Sequence, residues 1–325
     1  MTDATAKTLL TPDQRRQLTV RSDAMGAWAI ISTWAAIAAA FALLAWALSL
    51  PPLWRELLAI LALALLGGRQ LALAIVTHEA SHRTLFKTRW ANERLVDWLC
   101  ARPIGLDLEK YRQHHFAHHA HTGTEADSDL SLIQGLPTSR RGLLRKFARD
   151  LSGVTGLKFL LGRVLLDAEL MKWTVSSQVT WLPRQRRRDH LRHFLRNASP
   201  MLLCNGLLLT VLALLGRPEL YLGWLLAYLI PYPLFIRIRA LAEHACTEAS
   251  DHPLKNTRTT RAGWLARIFV APLRVNYHQE HHLMASVPWF RLKALHRQLR
   301  QQQAVAPAPS YWQVLHTVSS RKNPR

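Results

Sequence analysis

The sequence predicts an all-α membrane protein: four transmembrane helices arranged as two hairpins, with a cytoplasmic helical cap. Three observations predict it. Hydrophobic residues make up 49% of the 325-residue chain and concentrate in four blocks almost free of charge. The 42 Lys+Arg, against 21 Asp+Glu, fall mostly between those blocks, as the positive-inside rule requires. The 16 histidines are mostly gathered into clusters with helical spacing.

The elements follow in order. The polar start, MTDATAKTLLTPDQRRQLTVRSD, does not have the shape of a signal peptide. The first apolar block, about 26–50, is therefore expected to stay in the membrane, with Arg15, Arg16 and Arg21 on the cytoplasmic side. It is long enough to span a bilayer, and Pro51-Pro52 ends it. The second block, about 57–76, holds Arg69 and the pair Gly67-Gly68. The third, about 200–215, contains Asn205, and the fourth, about 220–236, carries Pro231 and Pro233, which predict a kink. Tight turns, SLPPLWRE and GRPE, join the blocks in pairs. The segments about 77–199 and 237–325 form the cap, and the whole chain, 1–325, reads as a single domain. The Lys/Arg density between His82 and Pro200 places the cap and both termini in the cytoplasm.

Within the cap, LLRKFARDLSGVTGLKFLLGRVLLDAELMKW has the mixed apolar and basic character of an interfacial helix or of an amphipathic helix packed on the cap. RQRRRDHLRHFLR reads as an anchor on anionic lipid. A net charge of +21 would by itself suggest nucleic acid, but its distribution points to the bilayer as partner and to no nucleic acid. Cys100, Cys204 and Cys246 form no C-x-x-C and no disulfide framework. SYWQVLHTV near the end predicts a last short helix.

The histidines carry the chemistry. THEASH contains His78 and His82; HHFAHHAH contains His115, His118 and His119; YHQEHH contains His278, His281 and His282. His244 lies in RALAEHAC, shortly after the fourth block. Positions i, i+3 and i+4 share one helix face, so each H-x-x-H-H places three imidazoles together. Two chance copies in one chain have odds of roughly one in a thousand. Nine imidazoles exceed what one catalytic zinc uses, three protein ligands and a water, and would serve two metals. Imidazole suits Zn, Cu, Fe and Ni alike. The place of the cluster, against a membrane face, points to chemistry on a lipid. Iron with O₂ is the usual means of attacking an unactivated C–H bond.

The boxes HEASH, HFAHH and HQEHH resemble those of the integral-membrane fatty acid desaturase and hydroxylase superfamily, and the order of spans and boxes is similar over most of the chain. HHAHTGTEADSDL looks like that family's continuation of its second box, and EHHLMASVPWFRLKALH like that of its third, as in bacterial acyl-lipid desaturases. Asp127-Ser128-Asp129 has Ser where the family often has Pro, and Met284-Ala285 stands where Phe-Pro is common. The resemblance implies that His78, His82, His115, His118, His119, His278, His281 and His282 hold two Fe ions. It implies His244 as an extra ligand, O₂ as co-substrate and a lipid or fatty acyl substrate. The chain has no His-Pro-Gly-Gly haem motif, so electrons are expected from a separate ferredoxin- or cytochrome-type donor. Desaturation is the expected reaction, with hydroxylation, carotenoid ketolation and terminal-alkene-forming decarboxylation as same-fold alternatives.

Glu79, Asp127, Asp129, Glu243 and Glu280 are candidates to hold the ring N–H of a ligand histidine. His114 and His121 flank the second box. Arg112 is expected to form a local salt bridge, with a substrate head group or Asp127 as the other options, Trp289 is expected to anchor at the membrane interface, and Asn276 is a weaker water-mediated ligand candidate. His190, His193, His252, His296 and His316 read as ordinary surface or interfacial residues. Two rivals of other classes stand beside this. His78-Glu79-x-x-His82 also fits an intramembrane zinc metalloprotease, which leaves most clustered histidines idle. A metal transporter or sensor needs polar residues in several spans, and these offer little beyond Arg69 and Asn205. The Ala/Leu/Arg-rich composition suggests a bacterial inner membrane.

Overall fold

Two short helices, α1 (Thr2–Leu9) and α2 (Pro12–Leu18), precede the first apolar block; a capping box between Thr11 and Gln14 starts the second. The computed structural model describes residues 2–173 and 179–320. Ala6, Leu10 and Leu18 bury against Leu283, Leu292, Leu295 and Leu299, which ties the N-terminal segment to the third histidine box.

Among the described residues, four helices are long and apolar enough to cross a membrane, Asp23–Ala47, Pro52–Ser81, Arg187–Leu214 and Leu220–His244. The first, α3 (Asp23–Ala47), begins where the Ser22 hydroxyl accepts from the Met25 amide, 3.3 Å. The second, α4 (Pro52–Ser81), starts on a proline, whose missing N–H would be unpaired there anyway. Ala29, Ile37, Ala40 and Leu44 of α3 share one core with Ala62, Leu66, Leu73 and Val76 of α4. The alanines let the backbones approach closely.

The helices overrun the expected blocks. α4 begins before 57 and continues past 76 to carry His78, because helical hydrogen bonding persists after hydropathy falls. The third span, α9 (Arg187–Leu214), starts well before 200, takes in the basic run and tolerates Pro200 inside it. Only 11% of its apolar window is buried, so its leucines face outward. Asn205 is satisfied within it: its amide donates to Met201 O, 3.0 Å, and its oxygen accepts from Tyr221, 3.1 Å. The fourth span is broken at Ile230 into α10 (Leu220–Leu229) and α11 (Pro231–His244). Pro231 supplies no N–H and interrupts the ladder there, as the prolines predicted, and α11 runs on past 236 to His244.

Between the second and third spans lie α5 (Leu108–His121), α6 (Leu130–Ile133), α7 (Arg140–Leu151) and α8 (Val154–Asp167). The segment read as one amphipathic helix is two, α7 and α8, separated at Gly153 with φ +80, a conformation that suits glycine. The all-α expectation needs one correction. β1 (Met171–Trp173) and β2 (Val179–Trp181) pair antiparallel, Lys172 opposite Thr180; alternating β-branched and aromatic residues suit a ribbon better than a helix. After α11 come α12 (Trp264–Phe269), α13 (His278–Leu283), α14 (Leu292–Gln301) and the expected last helix, α15 (Tyr311–Val318), with a Ser310–Gln313 capping box.

Candidate metal centre

The nine histidines come from four helix ends. His78 lies in the last turn of α4 and His82 is its C-cap residue. His115, His118 and His119 lie on α5, which Asp107 caps through the Lys110 amide, 3.0 Å. His244 ends α11, and His278, His281 and His282 lie on α13. They form two groups: His78, His82, His115, His119 and His281, and His118, His244, His278 and His282. Within each group the candidate ligand atoms lie within 4.8 Å of one another. Each H-x-x-H-H is therefore divided. Its i,i+4 pair serves one group and the middle histidine the other. The stacked rings of His119 and His282, centroids 4.1 Å apart at 11°, join the two groups.

The donor set fits metal ions. Nε2 atoms face each other at 2.9 Å (His82–His115), 3.1 Å (His115–His119), 3.1 Å (His119–His281) and 2.7 Å (His244–His278). Two imidazoles at right angles on one metal, each about 2.1 Å from it, would be about 3.0 Å apart, and about 3.4 Å at a tetrahedral angle. The spacing matches the right-angled case. In each group a fully buried nitrogen also has no hydrogen-bond partner among the described residues, His78 Nε2 in the first and His282 Nε2 in the second. An unpaired buried nitrogen costs free energy unless a ligand takes it.

Electrostatics keep most of these rings neutral, the form that binds metal. Burial, then Arg112 and His118, pulls His82 down to about 3. Burial, reinforced by neighbouring histidines, holds His115, His119, His278, His281 and His282 well below the ordinary imidazole value. His118 differs. Burial opposes its charge, but the hydrogen bond to Asp127 and the charges of Asp129 and Asp127 prevail and raise it.

The carboxylates take distinct places. Asp127 Oδ1 lies 2.7 Å from His118 Nδ1, leaving His118 Nε2 for a metal. Asp129 holds His114 at 2.9 Å; despite burial, that bond and the His118 charge keep its carboxyl below the usual range. Glu243 Oε2 lies 3.6 Å from His278 Nε2, while its other oxygen accepts from Arg239 Nε at 2.8 Å. Glu79 Oε1 sits 3.3 Å from His78 Nδ1, and its Oε2 accepts from the Trp289 amide at 3.1 Å. Among the described residues the Glu280 carboxylate bonds elsewhere than the ligand histidines, to Thr259 and to His296 Nδ1, the latter at 2.6 Å.

Arg112 forms the local salt bridge expected of it, with Glu109 one helical turn away on the same face, and donates to Ser81 O at 2.9 Å. Other expectations are corrected. Trp289 is 7% exposed in the core beside α4, so it is no interfacial anchor. Asn276 ties to Thr260 O, 2.9 Å. His121 is exposed outside both groups. His296 is no ordinary surface residue, since it completes the hydrogen bonding of buried Glu280. Arg239 was also overlooked, although its i,i+4 spacing to Glu243 is a readable signal.

Fold and site define a helical membrane protein built around a polyhistidine centre able to hold metal ions. Residues 52–314 match the family model described as fatty acid desaturase, and the chain belongs to that family. It is 26% identical over 255 residues to the dihydrorhizobitoxine desaturase of Bradyrhizobium elkanii, covering 78% of this chain and 70% of that one. Membership in a desaturase family makes it an oxidoreductase.

Proposed function

We propose that the protein is a membrane-bound, non-haem di-iron oxidoreductase that uses O₂ on a lipid acyl chain, as a fatty acid desaturase. The observation that carries this reading is the division of nine imidazoles into a group of five and a group of four with right-angled nitrogen spacing. A catalytic zinc takes three protein ligands, fewer than either group offers, at wider tetrahedral angles. Iron accepts this many nitrogens and, when bound, supplies the activation of O₂ needed to oxidise an unactivated carbon.

In the proposed reaction –CH₂–CH₂– becomes –CH=CH–, and O₂ with two electrons and two protons leaves as two waters. The electrons come from a separate ferredoxin- or cytochrome-type donor. The residues hold and orient the centre. Asp127 fixes the His118 tautomer, Asp129 braces the same turn through His114, and Glu243 and Glu79 stand beside His278 and His78. Buried neutral rings exclude water and competing protons. Hydroxylation, ketolation or decarboxylation on the same fold would differ in where the substrate carbon sits, to within about 1 Å. The relative's name as a desaturase favours C=C formation. The protease reading loses support from Glu79, which lies on the Nδ1 side of His78 and accepts from Trp289.

The test is lipid mass spectrometry of cells expressing the chain, with metal analysis of the purified protein. Wild type should yield new unsaturated acyl chains and two irons per chain rather than one zinc. His118→Ala should yield neither product nor full iron. Identical lipid profiles for both across fed acyl chains and carotenoids would remove the reading.

A further inference from the structure

One cavity lies apart from the metal centre. Its volume is about 610 Å³, the size of a small-ligand site. Ala64 of α4, Phe235 of α11, Leu265 and Ala266 of α12, and Trp312 of α15 line it, and none of the nine histidines does. Its walls include two helices long and apolar enough to cross a membrane, and Ala64 stands within the apolar length of α4, well before His78. Helix α12 is fixed to α4 at that level: Gly68 meets the Ile268 carbonyl, and Arg69 donates to the same oxygen. Leu265 is 52% exposed and Trp312 78%, so the cavity is a groove open on the flank that faces the bilayer.

Among the described residues, the one charged side chain in that lining is Arg261. Its backbone is held in place: the amide donates to Pro309 O at 2.8 Å, and the residue pairs with Ser310 in a single bridge. Arg261 is exposed, and its guanidinium has no carboxylate partner among the described residues. Trp264, the first residue of α12, is 71% exposed beside this loop. Exposed indoles on a membrane protein stand at the level of the lipid head groups. An unpaired cation and two exposed indoles at the rim of an apolar groove complement an anionic amphiphile.

We propose that this groove binds one acyl chain of an anionic membrane phospholipid, with the lipid phosphate paired to Arg261. A guanidinium offers phosphate oxygens two parallel N–H groups. The open flank leaves the glycerol and the second chain in the bilayer. A zwitterionic lipid carries its own cation beside the phosphate, which opposes Arg261 and weakens the pairing. The bound chain packs between α4, α11, α12 and α15, and so ties the two short helices to the spans. The site stands whichever reaction the centre performs.

The test is native mass spectrometry of the full chain in detergent, titrated with dioleoyl phosphatidylglycerol, dioleoyl phosphatidylcholine or oleate. For the first lipid bound, wild type should prefer phosphatidylglycerol to phosphatidylcholine about fivefold, the worth of one basic residue at an anionic surface. Arg261→Gln should lose that preference, and Ala266→Trp, which fills the groove, should weaken both lipids alike. Arg188→Gln, whose side chain is 69% exposed on α9, should leave the preference intact. Phosphatidylglycerol should raise the melting temperature of wild type more than that of Arg261→Gln, with metal content equal in the two. Several results would overturn the assignment: a preference that survives Arg261→Gln, one lost equally in Arg188→Gln, displacement of the first lipid by equimolar oleate or by inorganic phosphate, or Arg261→Gln that loses metal along with lipid.

Discussion

At the scale of single residues, the centre depends on which ring nitrogen each histidine offers. Asp127 makes that choice for His118 by taking Nδ1 at 2.7 Å. Partners of this kind typically contribute 10- to 100-fold in metal affinity. Asp127→Asn should therefore weaken metal binding roughly 10- to 100-fold while the fold persists, measured by metal content against a competing chelator; unchanged affinity would show that the bond does not orient the ring. A second prediction concerns pH. In metal-free protein His82 stays neutral down to about 3, against 6.5 for an ordinary imidazole. As pH falls below the ordinary value the unfolded chain takes up a proton that the folded chain refuses, so stability is full above it and declines toward the folded value. Most of the other clustered rings shift the same way. The thermal midpoint of chelator-treated protein should fall from about pH 7 to about pH 5, and a flat profile would contradict the buried-neutral picture. The nine histidines were legible because i, i+3 and i+4 spacing is a property of the sequence. His296 was not, because its partner, Glu280, lies on a different helix and only tertiary packing joins them.

At the scale of elements, hydropathy located the four apolar helices but not their ends. Helix α9 begins inside a basic run, and α4 continues through His78, because backbone pairing is indifferent to side-chain polarity once a helix is under way. Helix α12 was missed altogether. It has six residues, too few for periodicity to register, and it is held by packing: Gly68 meets its Ile268 carbonyl, and Arg69 bonds that same oxygen. Close approach of backbones yields a test on another helix. A Cβ on Gly156 of α8 would lie 2.3 Å from Leu229 O and 2.4 Å from Leu229 Cα. Gly→Ala in a helix ordinarily stabilises. Here Gly156→Ala should destabilise by about 1–3 kcal/mol, seen as a lower melting temperature in detergent, and a raised melting temperature would mean that α8 does not sit on the α10–α11 break.

At the scale of the whole molecule, the ends of the chain and the centre share one side. The N-terminal helices bury Ala6 and Leu10 against the α13–α14 region, and Val314 and Val318 of α15 bury against Leu241 and Ala245 at the end of α11. All nine histidines stand at helix ends on that side. For the compartment it faces we propose the cytoplasm, on charge alone: the segments between the second and third spans are rich in Lys and Arg, and the positive-inside rule favours retaining such segments there. Cysteine usage makes the orientation measurable. Cys246 is exposed just beyond His244, Cys100 is buried, and Cys204 is half-buried within α9. With Cys100 and Cys204 replaced by Ser, a membrane-impermeant maleimide should label Cys246 in inside-out vesicles and leave it unlabelled in right-side-out cells. The reverse pattern would turn the molecule over. The centre would then lie outside the compartment that holds soluble reductants, and the electron supply required by the proposed reaction would have to come from a different class of donor.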